Sequence, residues 1–105
     1  MKTKEYQCLV TATLTIIGGR WKPIIIWVLT NGSKRFGQLA AIISGISRKV
    51  LTEQLRELEA DGLIVRTEFK EIPPRVVYEL SEKGKSLKPV MKAMSNWGTE
   101  NVLKK

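Results

Sequence analysis

Apolar residues recur along this chain with two different periods, and the change from one to the other marks out its elements. Leu9 to Ile17 is an apolar run closed by Gly18-Gly19, a pair suited to the left-handed backbone that ends a helix. A second helix follows Trp21-Lys22-Pro23, with proline acceptable in the first turn; Ile24, Ile25, Trp27 and Val28 are expected to fill its buried face before the stop at Asn31-Gly32. From Arg35 to Ile43, Phe36, Leu39, Ile42 and Ile43 recur at spacings of three and four, which predicts a short amphipathic helix. Ser44-Gly45-Ile46 makes a tight turn, and Ser47 is a good N-cap for a helix in which Leu51, Leu55 and Leu58 form one stripe up to Asp61-Gly62. Two helices joined by about three residues containing a glycine are the helix-turn-helix pattern, here over about 35–61.

Beyond Gly62 the period becomes two. Leu63, Val65, Thr67 and Phe69 alternate with Ile64, Arg66, Glu68 and Lys70, and after Glu71-Ile72-Pro73-Pro74 the alternation resumes, with Val76, Tyr78 and Leu80 on one face. This predicts a β-hairpin over about 63–80 with a proline-stiffened tip. Ser81 then caps a final helix whose Leu87, Val90, Met91, Met94 and Trp97 form an apolar stripe; Pro89 inside it either kinks the helix or marks its real start. The order of elements gives a mostly helical α+β fold, a winged helix-turn-helix followed by a C-terminal helix, built as one domain over 1–105.

Length sharpens this picture. A chain of 105 residues leaves a sizeable part of its surface uncovered, so burial of a further apolar stripe against a second copy is favourable, and Met91, Met94 and Trp97 offer one. Trp21 and Trp27 read as core residues rather than as walls of a ligand pocket. The longest apolar run, Ile24 to Leu29, is too short to span a bilayer, and Met1 to Glu5 leads into no signal-peptide core, so a soluble, unexported, cytoplasmic protein is expected. One cysteine, Cys8, fits a reducing compartment. The absence of histidine removes metal sites built on His with Cys and every His-based acid or base; no phosphate-binding glycine loop and no nucleophile paired with a base appear either, so neither an enzyme nor a cofactor is expected.

The net charge of +8 and the pI near 9.9 suit a partner that is polyanionic. The charge is spread evenly, however, so composition permits contact with nucleic acid without locating it. Location comes from the helix after Ser47. On its wheel Leu51, Leu55 and Leu58 face inward, Lys49, Thr52, Glu53 and Arg56 face outward, and Arg48 lies near the boundary. Arg48 and Lys49 in the first turn, with Glu57, Glu59 and Asp61 in the last, oppose the helix dipole at both ends. A helix arranged for its own stability would carry the reverse; a basic first turn makes sense against phosphates and the major groove. An isolated basic pair is ordinarily a solvated face, but here turn, cap, reversed dipole and following hairpin agree. Arg75 beside Pro73-Pro74, with Lys70 nearby, is placed to meet the minor groove or the backbone.

With these residues in view, the chain resembles the HxlR-type transcriptional regulators, bacterial winged helix proteins related in architecture to the MarR regulators. The matching stretches are Ile17 to Pro23, Lys34-Arg35-Phe36, Leu39, Gly45-Ile46-Ser47, Leu51 to Leu63, Pro73-Pro74-Arg75-Val76 with Tyr78, and Leu87 to Gly98. The resemblance implies a homodimer on an inverted repeat of double-stranded DNA, with the N-terminal helix and a C-terminal dimerisation helix within residues 81–105 building the interface through Leu87, Met91, Met94 and Trp97. It implies that Ser47, Arg48, Lys49, Thr52 and Arg56 read or clamp DNA, with Arg75 in the wing and Lys34 and Arg35 near phosphate. It also implies a sensing role for Cys8, since some members respond to oxidants or electrophiles through an N-terminal cysteine, and a helix N-terminus favours the thiolate. The other reading of Cys8 is a small side chain buried at the dimer interface. The alternative for the whole chain is a winged helix used as a protein-interaction adaptor, without sequence-specific DNA binding.

Overall fold

The computed structural model describes residues 8–103. The expectation about Met1 to Glu5 therefore lies outside the described residues, as do the last two positions of the 81–105 dimerisation segment. Helix α1 (Leu9–Ile17) packs Ala12 and Ile17 inward and ends as Gly18 donates its N–H to the Leu14 carbonyl at 2.8 Å. Helix α2 (Lys22–Leu29) carries Pro23 in its first turn, where no N–H is needed. Its core face is Ile25, Ile26 and Leu29, three and four apart; of the expected set Ile25 is buried and Val28 packs partly against the core. Ile24 and Trp27, each 39% exposed, stand on the flank instead, so Trp27 is not a core residue.

Strand β1 (Lys34–Arg35) comes next and was not foreseen, since two residues are too few to show an alternation. Arg35 ends the strand and begins helix α3 (Phe36–Ile42); its N–H donates to Gln38 Oε1 at 2.8 Å, closing one open donor of the helix start. Leu39 and Ile43 are buried, while Ile42 turns outward. The turn to the next helix passes through Gly45 at φ +84°, a left-handed conformation that a side chain would strain. Helix α4 (Arg48–Ala60) starts where Ser47 Oγ accepts the Val50 N–H at 3.1 Å, and Leu51, Leu55 and Leu58 are all buried as expected.

Strands β2 (Ile64–Phe69) and β3 (Arg75–Leu80) pair antiparallel, with Ile64 opposite Leu80, Arg66 opposite Tyr78 and Phe69 opposite Arg75. β1 adds to the other edge of β3, giving a three-stranded sheet in the order β1-β3-β2. Ser81 caps only the short helix α5 (Glu82–Lys85), and Pro89 marks the real start of helix α6 (Lys88–Gly98), which runs on into a π-helical turn (Thr99–Leu103). α5 is held tightly: Ser81 Oγ donates to the Gly62 carbonyl at 2.6 Å, and a Cβ on Gly84 would lie 2.1 Å from the Leu63 carbonyl oxygen.

One buried cluster joins Ile25, Ile26, Leu39, Leu51, Leu55, Leu58, Leu63 and Met91, so α4 and the hairpin share a single core with α2 and α6. This is the winged helix-turn-helix. No single helix among the described residues is long and apolar enough to cross a membrane.

Candidate nucleic-acid interface

The outward side of α4 is built as its sequence predicts. Arg48, Lys49, Glu53 and Arg56 are exposed, and Thr52 is half-buried. Ser47 uses its oxygen as the cap acceptor, which leaves its hydroxyl proton free to donate outward. The Thr52 hydroxyl donates back to the Arg48 carbonyl at 2.8 Å, so it presents its methyl and remaining lone pair. The Arg48 guanidinium lies 5.4 Å from the centre of the Phe36 ring, which steadies this long side chain at the mouth of the helix-turn-helix. At the acidic end, Glu57 pairs with Lys22 of α2, a side chain only 13% exposed. Glu57 thus faces another element of the chain, a partnership that spacing along α4 alone does not reveal.

The wing holds its arginine close. Arg75 forms an ion pair with Glu71 at 3.0 Å and stacks 4.2 Å from the centre of the Phe69 ring, while Lys70 beside it is exposed. Arg35 and Arg75 line the two walls of one cleft of about 380 Å³ between the start of α3 and the wing tip. The half-buried Lys34 points its Nζ toward the Gly32 and Ser33 carbonyls, 3.4 Å from each. A second cleft, of about 400 Å³, separates α4 from the hairpin and is lined by Phe36, Thr52, Arg56, Glu59, Arg66 and Tyr78 among others. Arg66 is absent from the set expected from sequence. Alternation placed it in a strand, but only the register opposite Tyr78 shows that it faces α4.

The residues assigned to the dimer interface divide. Met91 is 4% exposed and belongs to the chain's own core, which corrects the expectation; α6 needs an inward residue to dock on α2, and Met91 is that residue. Leu87 packs partly against the same core. Met94 and Trp97 remain outside, Trp97 at 65% exposure, and Leu9, Val10 and Leu14 of α1 are exposed as well.

Cys8 is exposed and is the N-cap of α1. Its Sγ lies 3.3 Å from Thr11 Oγ1 and accepts the Thr11 N–H at 3.5 Å. These bonds, the side-chain one foremost, hold the thiol pKa below its ordinary value, because they stabilise the thiolate. No group of acidic or cysteine side chains able to hold a metal ion occurs among the described residues.

The comparisons with known proteins agree with this architecture. The family of HxlR-like helix-turn-helix proteins matches residues 16–105. The uncharacterized HTH-type transcriptional regulator YtcD of Bacillus subtilis (strain 168) is 46% identical over 102 residues, covering 97% of this chain and 81% of its own length. Among solved structures, the redox regulator HypR in its oxidized form superposes with a TM-score of 0.85 at 44% identity, covering 90% of this chain and 97% of that one. HypR in its reduced form gives 0.86 at 41% identity, covering 92% and 98%. The chain belongs to the HxlR-like helix-turn-helix family, and with it to the DNA-binding transcriptional regulators rather than to the enzymes.

Proposed function

We propose that the chain is a sequence-specific regulator that binds an inverted-repeat operator as a homodimer, the whole of 1–105 acting as one domain. The observation that carries this reading is the basic first turn of α4, where Arg48 and Lys49 are exposed beside the free hydroxyl proton of Ser47, with the hairpin on one flank. That turn enters the major groove. Arg48, Lys49, Thr52 and Arg56 meet base edges or the adjoining backbone, Ser47 and the α3 entry residues Lys34 and Arg35 meet phosphates, and the wing lays Lys70 and Arg75 along the neighbouring groove. The exposed apolar faces of α1 and α6, with Met94 and Trp97 on the latter, pair two copies.

Cys8 serves as the sensor in this reading. It is exposed, lies at a helix N-terminus, and its thiolate is favoured by Thr11. The likeness to a redox regulator solved in both oxidized and reduced forms supports the same role. With one cysteine in each chain, oxidation joins two copies: two thiols lose two protons and two electrons to an oxidant such as diamide, and one S–S bond forms. An electrophile instead alkylates each thiolate singly.

The test is selection of random duplexes on the reduced protein, followed by titration of the winner and of a scrambled duplex at two salt concentrations. An enriched inverted repeat with half-sites about one helical turn apart, still preferred at the higher salt, is the expected result. Equal, salt-sensitive binding to both duplexes would refute sequence-specific recognition and leave the adaptor reading.

A further inference from the structure

The cleft between α4 and the wing shares Thr52 and Arg56 with the outer side of α4, and its walls are cationic. Arg56 comes from the outer face of α4 and Arg66 from β2, and among the described residues lining the same space Glu59 alone is acidic, so the cleft is net positive. Arg66 reaches it because it stands opposite Tyr78 on the side of the hairpin that carries Ile64 and Leu80; the two strands run past the edge of the core, and Arg66 is the first residue of β2 beyond it. Among the described residues its guanidinium pairs with Glu68, at 3.8 Å, a distance that leaves the pair loose and exposed.

Duplex geometry says what passes through such a space. When a helix occupies the major groove and a hairpin flanks the adjacent minor groove, the sugar–phosphate strand that divides the two grooves must run between them. We propose that this cleft is the seat of that strand, and that Arg66 and Arg56 grip its phosphates from opposite walls. Arg66 is a positioning residue: it fixes register and contributes affinity, and it reads no base. The inference rests on the DNA-binding reading above.

It is tested on the full chain with the selected duplex and a scrambled one. Arg66→Gln is expected to weaken both by the same factor, about eightfold per protomer at 0.1 M salt, and to make the plot of log affinity against log salt shallower by about 0.9 per protomer, the worth of one released counterion. The ratio between the two duplexes stays unchanged. Arg66→Lys restores the slope, and Glu59→Gln tightens both duplexes. Replacing chloride by inorganic phosphate at fixed ionic strength leaves the factor in place; if the factor falls to one, the seat takes free phosphate and the proposal is wrong. An unchanged slope in Arg66→Gln, while Arg48→Ala loses its preference for the selected duplex, overturns the seat and spares the DNA-binding reading. A wild-type protein that binds neither duplex overturns both.

Discussion

Two residues at the start of α4 carry opposite obligations. Arg48 and Lys49 lie where the positive end of the helix dipole disfavours them, a cost to folding that an anion bound at this end would offset. Arg48→Ala or Lys49→Ala is expected to weaken operator binding by about 1–3 kcal/mol, measured by fluorescence anisotropy. Lys49→Glu goes further, raising stability to thermal unfolding by about 0.3–1 kcal/mol while abolishing operator binding. A variant that loses both binding and stability would contradict the placement. At Cys8 the sign can also be worked out. The folded thiol has the lower pKa, so the rate of iodoacetamide labelling should rise to its plateau at a lower pH than for the unfolded chain. The same shift makes folding slightly more favourable above the ordinary thiol pKa, and that gain disappears as pH falls through the folded value. Thr11→Val removes the principal hydrogen bond and should move the labelling midpoint back up.

At the scale of elements, the N-cap and the leucine stripe of α4 were legible because both are local: Ser47 bonds within its own first turn, and Leu51, Leu55 and Leu58 repeat on one helix. What the sequence concealed depends on contacts between distant segments. β1 exists only because Lys34 and Arg35 find Tyr78 and Val77. In α2, six consecutive apolar residues, Ile24 to Leu29, competed for one face, and only packing against α6 and the sheet chose Ile25, Ile26 and Leu29 over Ile24 and Trp27. Met91 was hidden in the same way inside a stripe that serves two surfaces. Arg66 was missed because alternation gives the parity of a strand but not which parity faces inward. Gly84 had no signal at all, since its need is the Leu63 carbonyl oxygen 21 residues before it. Gly84→Ala should therefore lower stability by about 1–3 kcal/mol, as overpacking does, where a solvent-exposed helical glycine would gain from the change. Denaturant titration with an unchanged m-value checks this.

At the scale of the whole molecule, the proposed function requires two chains. Trp97 and Met94 on α6, with Leu9, Val10 and Leu14 on α1, leave apolar area in water that a lone chain does not cover. Trp97→Asp should shift the protein toward monomer in sedimentation velocity and lower affinity for the full operator far more than for a half-site. The paired carboxylate and amine of Glu57 and Lys22 fasten α4 to α2, the helix beside this surface. Strand β1 completes the fastening on the other side. Arg35 is at once paired with Val77 of the wing and bonded through its N–H to Gln38 in the first turn of α3. These contacts tie the wing to the helix-turn-helix through β1 and the start of α3, so that each chain of the proposed dimer acts as one jaw. In the dimer proposed above, a pair of such jaws would work as a caliper: a signal received at α1 would act on DNA by changing how far apart the jaws are set, while the shape of each jaw stays the same.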